Sequence, residues 1–135
     1  MPHSRLTGWD PAATALLELV PQAARGPKRE SAFALWLTVR VAQDLLLDTP
    51  PPERAHRRRV DALARRLSSL TLPAPLRRAL TAAIDQLRDG TPDSAAQVLS
   101  QLVAPARETG GPEIGDAVGE AARTARAAVR AGQTR

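Results

Sequence analysis

Residues 31–48 read SAFALWLTVRVAQDLLLD, and wound as a helix they are apolar on nearly every side. At about 100° per residue, Ala32, Leu35, Val39, Ala42 and Leu46 form one stripe. Phe33 and Leu37 fall on the far side, Trp36 and Leu47 lie between, and Val41 and Leu45 cover a further sector. Between Glu30 and Asp48 the charges are Arg40 and Asp44, one turn apart. A surface helix has an apolar stripe and a charged face, whereas one apolar all round must be covered on all sides. Ser31 to Asp48 is therefore expected to be either the central helix of a bundle or a docking surface for another chain.

The neighbouring sequence supplies further helices and the breaks between them. Asp10-Pro11 reads as a helix start, with Asp as N-cap and Pro in the first turn. The segment that follows carries Ala13, Leu16, Leu17 and Val20 on one face and ends or kinks at Pro21. Gly26-Pro27 separates it from the apolar helix, and Thr49-Pro50-Pro51-Pro52 reads as a stiff extended connector. Glu53 to Leu70 is amphipathic, with Val60, Leu63, Ala64, Leu67 and Leu70 inward and Arg54, Arg58 and Arg65 outward. Leu72-Pro73-Ala74-Pro75 starts the next helix, which ends at Gly90, a left-handed C-cap position. Thr91-Pro92 restarts the chain with an N-cap and a proline at N1, and the turn is short enough to predict antiparallel packing. Ala95, Val98, Leu99 and Leu102 face inward there, and Pro105 is expected to kink or close that helix. After Gly110-Gly111-Pro112, the final helix (Glu113 to Ala131) presents a thin face of Ile114, Val118, Ala121, Ala125 and Val129. Gly115 and Gly119 lower its propensity, and fraying is expected after Arg130.

Composition agrees. Ala, Leu and Arg supply 62 of the 135 residues, all good helix formers, while aromatic residues number three. The expected fold is all-α: one compact domain over residues 1–135, with flexible ends at 1–9 and 131–135. Five or six mostly antiparallel helices would surround a central apolar one. Arginine outnumbers lysine eighteen to one, a bias that a GC-rich coding sequence would produce, so a net charge of +5 is weak grounds for a polyanionic partner. Without cysteine there are no disulfides, thiolate metal sites or cysteine nucleophiles. The first 26 residues make a poor signal peptide, and Ser31 to Leu47 is shorter than the roughly 20 residues a membrane span needs. A cytoplasmic address is expected.

Groups for catalysis are sparse. The two histidines are His3 and His56, no tyrosine is present, and no serine sits in a nucleophile-elbow context. A zinc site needs three or four ligands that the chain does not assemble, and His56 reads as a partly covered helix-start residue. Asp44/Asp48, Asp85/Asp89 and Asp116/Glu120 are carboxylate pairs one turn apart, without the Glu-x-x-His motifs of a dicarboxylate metal site. They read as solvated, charge-balanced faces. The chain is therefore expected to be no enzyme, with no metal and no cofactor.

Two binding surfaces remain. Phe33, Trp36, Leu37, Arg40 and Leu47 combine aromatic anchors with an arginine, the composition of interface hot spots, and self-association as a homodimer is the economical version. The alternative is a nucleic-acid-associated protein in which Arg54, Arg58 and Arg65, on one ridge, track phosphates. Asp61 beside that ridge, and the lack of interleaved aromatic or amide side chains to read bases, weigh against it. An apolar ligand pocket beside Trp36 is a third expectation. The leading expectation is a non-catalytic, cytoplasmic helical interaction or adaptor module, with no membrane partner.

Overall fold

Prolines and glycines punctuate the fold almost where the sequence places them. The computed structural model of the chain describes residues 27–47 and 49–133. Five helices are present: α1 (Pro27–Asp44), α2 (Glu53–Ser68), α3 (Ala74–Leu87), α4 (Pro92–Gly110) and α5 (Pro112–Gln133). The described residues contain no strand. The helix read after Asp10-Pro11, the ends at 1–9 and 134–135, and the Asp44/Asp48 pair lie in whole or part outside the described residues.

Helix α1 starts four residues earlier than its apolar run and ends four earlier, at Asp44. Pro27 is tolerated in the first turn, where its missing N–H would be unpaired anyway. At the other end, the N–H groups of Leu45 and Leu46 donate to Ala42 and Gln43 carbonyls three residues back, at 3.2 and 3.0 Å. That tightened turn drives both leucines into the core. Pro52 then takes φ −56° and ψ 152°, the polyproline II conformation read from Thr49–Pro52.

Each of the other four helices packs against α1, and α4 and α5 share the most extensive interface. Ala32, Ala34, Leu35, Val39 and Ala42 of α1 are completely buried, and Leu35 meets a core built from Val60, Leu76, Leu80, Leu87, Val98, Leu99 and Leu102. Each such side chain stabilises the fold by roughly 1.5–3 kcal/mol relative to exposure. Thr38 is buried too, and its hydroxyl donates to the Ala34 carbonyl at 2.8 Å, which removes the penalty of an unpaired group.

The turn between α3 and α4 follows the sequence closely. Gly90 has φ +68°, Thr91 accepts the Ser94 N–H at 3.1 Å as N-cap, and Pro92 occupies the first turn. His56, expected to be partly covered, is 2% exposed. Its Nε2 donates to the Leu87 carbonyl at 2.7 Å and so caps the C-terminal end of α3 from the first turn of α2. A carbonyl only accepts, so this bond sets Nε2 as the protonated nitrogen and leaves Nδ1 buried without a partner.

Pro105 neither closes nor interrupts α4, which continues to Gly110. Leu102 and Ala106, on either side of it, remain buried, so packing against the core outweighs the one backbone hydrogen bond that proline removes. The buried face of α5 is wider than the sequence suggests: Ala117, Ala122 and Ala128 join Ile114, Val118, Ala121 and Ala125, while Val129 is half-buried. The helix runs on past Arg130 to Gln133. Its small residues allow α4 to approach closely. A Cβ on Gly115 would lie 2.7 Å from the Arg107 Cβ and 3.0 Å from its Cα, whereas one on Gly119 would find neighbours no nearer than 3.8 Å. Gly115 is thus a contact point between helices and not only a weak spot in one.

Two predictions follow from this packing. Gly115→Ala should destabilise the fold by about 1–3 kcal/mol despite alanine's better propensity, because backbone must move. Gly119→Ala should stabilise it by up to about 1 kcal/mol. Urea denaturation of the two variants checks the opposite signs. Gln43 is 0% exposed, and neither its amide nitrogen nor its oxygen has a hydrogen-bond partner. Gln43→Met keeps the straight chain and removes both orphans, so the melting transition should rise, corresponding to about 1–3 kcal/mol.

Candidate functional site

Phe33, Leu37 and Val41 follow one another at four-residue steps, so they form a single ridge along α1. This is the side of α1 that its neighbours leave half-exposed; the stripe of Ala32, Leu35, Val39 and Ala42 is fully buried. Opposite stands one flank of α2, made by Arg59, Ala62, Leu63 and Arg66. Between the two walls runs an open gully of about 450 Å³. Its floor and sides are apolar, and its polar groups are two arginines.

Arg66 extends across the gully wall, with its guanidinium carbon 5.3 Å from the centre of the Phe33 ring. A cation over an aromatic face at that distance is held by the ring quadrupole, worth about 0.5–1 kcal/mol at an exposed site. Trp36 stacks on Phe33 with centroids 6.0 Å apart and planes 26° from parallel, which braces the ring. Arg59 forms an ion pair with Asp44. Asp44 sits in the last turn of α1, where the helix dipole disfavours a carboxylate, and Arg59 offsets that charge.

The residues singled out from sequence therefore separate. Phe33 and Leu37 line the gully, and Trp36 stacks on Phe33. Arg40 is exposed, and its position seven residues after Phe33 puts it on the same side of α1. It forms no ion pair with a described residue; Asp44, one turn away and a natural partner for it by spacing, pairs with Arg59 instead. Leu47 lies elsewhere, beside Leu45, Leu46, Pro50, Ala128 and Val129. Val41 and the α2 wall were not singled out. Their signal was present in the pattern, since Arg59 and Arg66 flank the inward face of α2, where arginine stems cover apolar neighbours.

The arginines of α2 divide into two sets. Arg57 pairs with Glu53 at 2.6 Å, Arg59 with Asp44, and Arg66 lies over Phe33. Arg54, Arg58 and Arg65, the outer ridge, are exposed and form no ion pair with any described residue. Asp61, beside that ridge, is engaged at 2.9 Å by Arg88, the residue that follows α3 as its C-cap.

Two other hollows differ in character. One of about 250 Å³ between α2 and α3 sets Asp85 with Arg77 and Arg88, and one of about 480 Å³ between α4 and α5 sets Asp93 with Arg126 and Arg130. Acids and arginines alternate in both, as on an ordinary solvated face. The carboxylates of the Asp116/Glu120 pair are charge-balanced too: Asp116 pairs with Arg107 and Glu120 with Arg123. Among the described residues no cluster of three His, Asp or Glu could hold a metal ion, and no helix is long and apolar enough to cross a membrane. No known protein family, characterised protein or solved structure matches the chain.

Proposed function

We propose that the chain is a non-catalytic helical interaction module whose docking face is the gully between α1 and α2. The observation that carries this reading is the contrast within α1. One side is sealed completely, while Phe33, Leu37 and Val41 on the other stay half-exposed beside an arginine fixed over an aromatic ring. Aromatic and arginine side chains in a partly formed pocket are the usual anchors of protein interfaces. The accompanying architecture is a mostly antiparallel bundle arranged around α1. Contacts between α1 and all four other helices support it, as do the pairs Arg107–Asp116 and Ser100–Arg126, whose numbers fall along α4 as they rise along α5.

Self-association through Phe33, Trp36 and Leu37 is the less favourable version of this module. A symmetric dimer joins the same patch on both copies, so the arginine rim would meet its own equivalent. Like charges opposed at a desolvated contact weaken it. A cytoplasmic location suits a chain of this composition.

The reading separates docking residue from core residue. Leu35→Ala should lower stability by about 2–5 kcal/mol, as for any fully buried leucine. Leu37→Ala should cost less, about 1–2 kcal/mol, because that side chain is only partly buried. Guanidinium unfolding of both variants measures the difference, and equal losses would mean that Leu37 is ordinary core.

A second reading, a nucleic-acid-associated protein, is favoured by one observation: Arg54, Arg58 and Arg65 form no ion pair with a described residue. They span eleven residues, about 16 Å along the helix. A labelled duplex should then be retained at low salt, with Arg58→Ala reducing the salt slope by about one. An absence of retention at low salt removes this second reading.

A further inference from the structure

We infer that the gully receives a short amphipathic helix from a different protein, one whose apolar stripe is flanked by Asp or Glu. This rests on the docking reading above and names the chemistry of the occupant.

Three features carry it. The first is length. Phe33 and Val41 stand eight residue steps apart, about 12 Å of helix, and an incoming helix with anchors at i, i+4 and i+7 spans about 10.5 Å. Two turns of partner therefore match two turns of wall. The second is shape. A trough between two helices, apolar along its floor and open to solvent, is the receiving surface used when a helix lays its apolar face into a groove.

Charge is the third. Of the two arginines that line the gully, Arg59 is balanced by Asp44, while Arg66 forms no ion pair with a described acid; Arg40, exposed on the same side of α1, forms none either. The acids of α2 are committed elsewhere, Glu53 to Arg57 and Asp61 to Arg88. Among the described residues the gully's own wall thus presents one uncompensated cation, Arg66, already held in place by the Phe33 ring, with the exposed Arg40 on the same side of α1. A carboxylate arriving there makes a charge-assisted bond without having to order a free arginine side chain. A second copy of this basic chain would bring the same arginines to the contact. A nucleic acid would satisfy the arginines but leave the aliphatic floor of Leu37, Val41 and Leu63 unfilled. An acidic amphipathic helix satisfies both.

The test uses the full chain carrying Trp9→Phe, so that Trp36, stacked on Phe33, is the single tryptophan reporter. Two synthetic helical peptides share leucines at i, i+4 and i+7, one with Glu on the flanks and the other with Lys. Binding is read by Trp36 emission and by anisotropy of the labelled peptide. The Glu-flanked peptide should bind at least tenfold more tightly than the Lys-flanked one. Leu37→Asp should abolish binding, with helicity checked by circular dichroism, and Arg66→Glu, a change at an exposed position, should reverse the preference. Equal affinity for the two peptides, or preference for Lys, overturns the proposal. So does a concentration-dependent doubling of mass that Leu37→Asp removes, which would make a second copy the occupant. Binding that appears only after Leu16→Asp and Leu17→Asp would assign the gully to residues 11–20 of the chain itself and likewise overturn it. Displacement of the Glu-flanked peptide by a single-stranded oligonucleotide would transfer the site to polyanions. If Leu37→Ala proves as costly to stability as Leu35→Ala, the docking reading itself falls. If it does not and the peptides are bound alike, only the acidic partner falls.

Discussion

The whole molecule is organised by the need to keep water from α1. A helix with Leu35, Val39, Ala42 and Leu46 on one side and Phe33, Leu37 and Val41 on another cannot be satisfied by a single neighbour. Four helices meet it, and the remaining elements are placed by that requirement. The tightened turn at Leu45 and Leu46 extends the seal beyond the end of the helix. The polar groups caught inside are dealt with unequally: Thr38 is satisfied by its own backbone, while Gln43 is not. What stays uncovered is a strip two turns long, and it coincides with the aromatic pair.

The second half of the molecule depends on closeness more than on bulk. Helices α4 and α5 are joined by the single residue Gly111, at φ +91°, and they meet through alanine and glycine surfaces. Small side chains bury little area each, but they let two backbones come near enough for many weak contacts to accumulate. Gly110 against Ile114 and Gly115 against Arg107 are two close points of that approach. On the outer surface Arg107 reaches Asp116, an exposed pair of the kind that contributes at most about 1 kcal/mol.

Features written in consecutive residues were legible in advance. Gly90, Thr91 and Pro92 act within a few bonds of themselves, and the structure places a left-handed turn, an N-cap and a first-turn proline there. Features that depend on what lies across a gap were not. Gly115 looks like a propensity fault until Arg107 is brought against it. Pro105 looks like a break until the buried faces on either side of it are seen to align. Within the candidate site, the spacing of α1 pointed to Phe33 and Leu37, while the position of Leu47 could not be inferred because the helix ends three residues before it. The α2 wall was visible only as arginines flanking an inward face. Nothing in one helix states that Arg66 will lie over a ring carried by another.

The proline connector between α1 and α2 bears on the mechanical character of the gully. Its walls are the two helices that Pro50–Pro52 helps to join, a stretch with few soft torsions, and the Asp44–Arg59 pair ties the last turn of α1 to the middle of α2. Few soft torsions at one end of the link and an ion pair across the two helices both restrict how far the walls of the trough can part. Recognition there would discriminate by girth: a narrow ridge of leucines could seat, a broad aromatic one would ride high, and little of the free energy of association would be spent on reshaping the host.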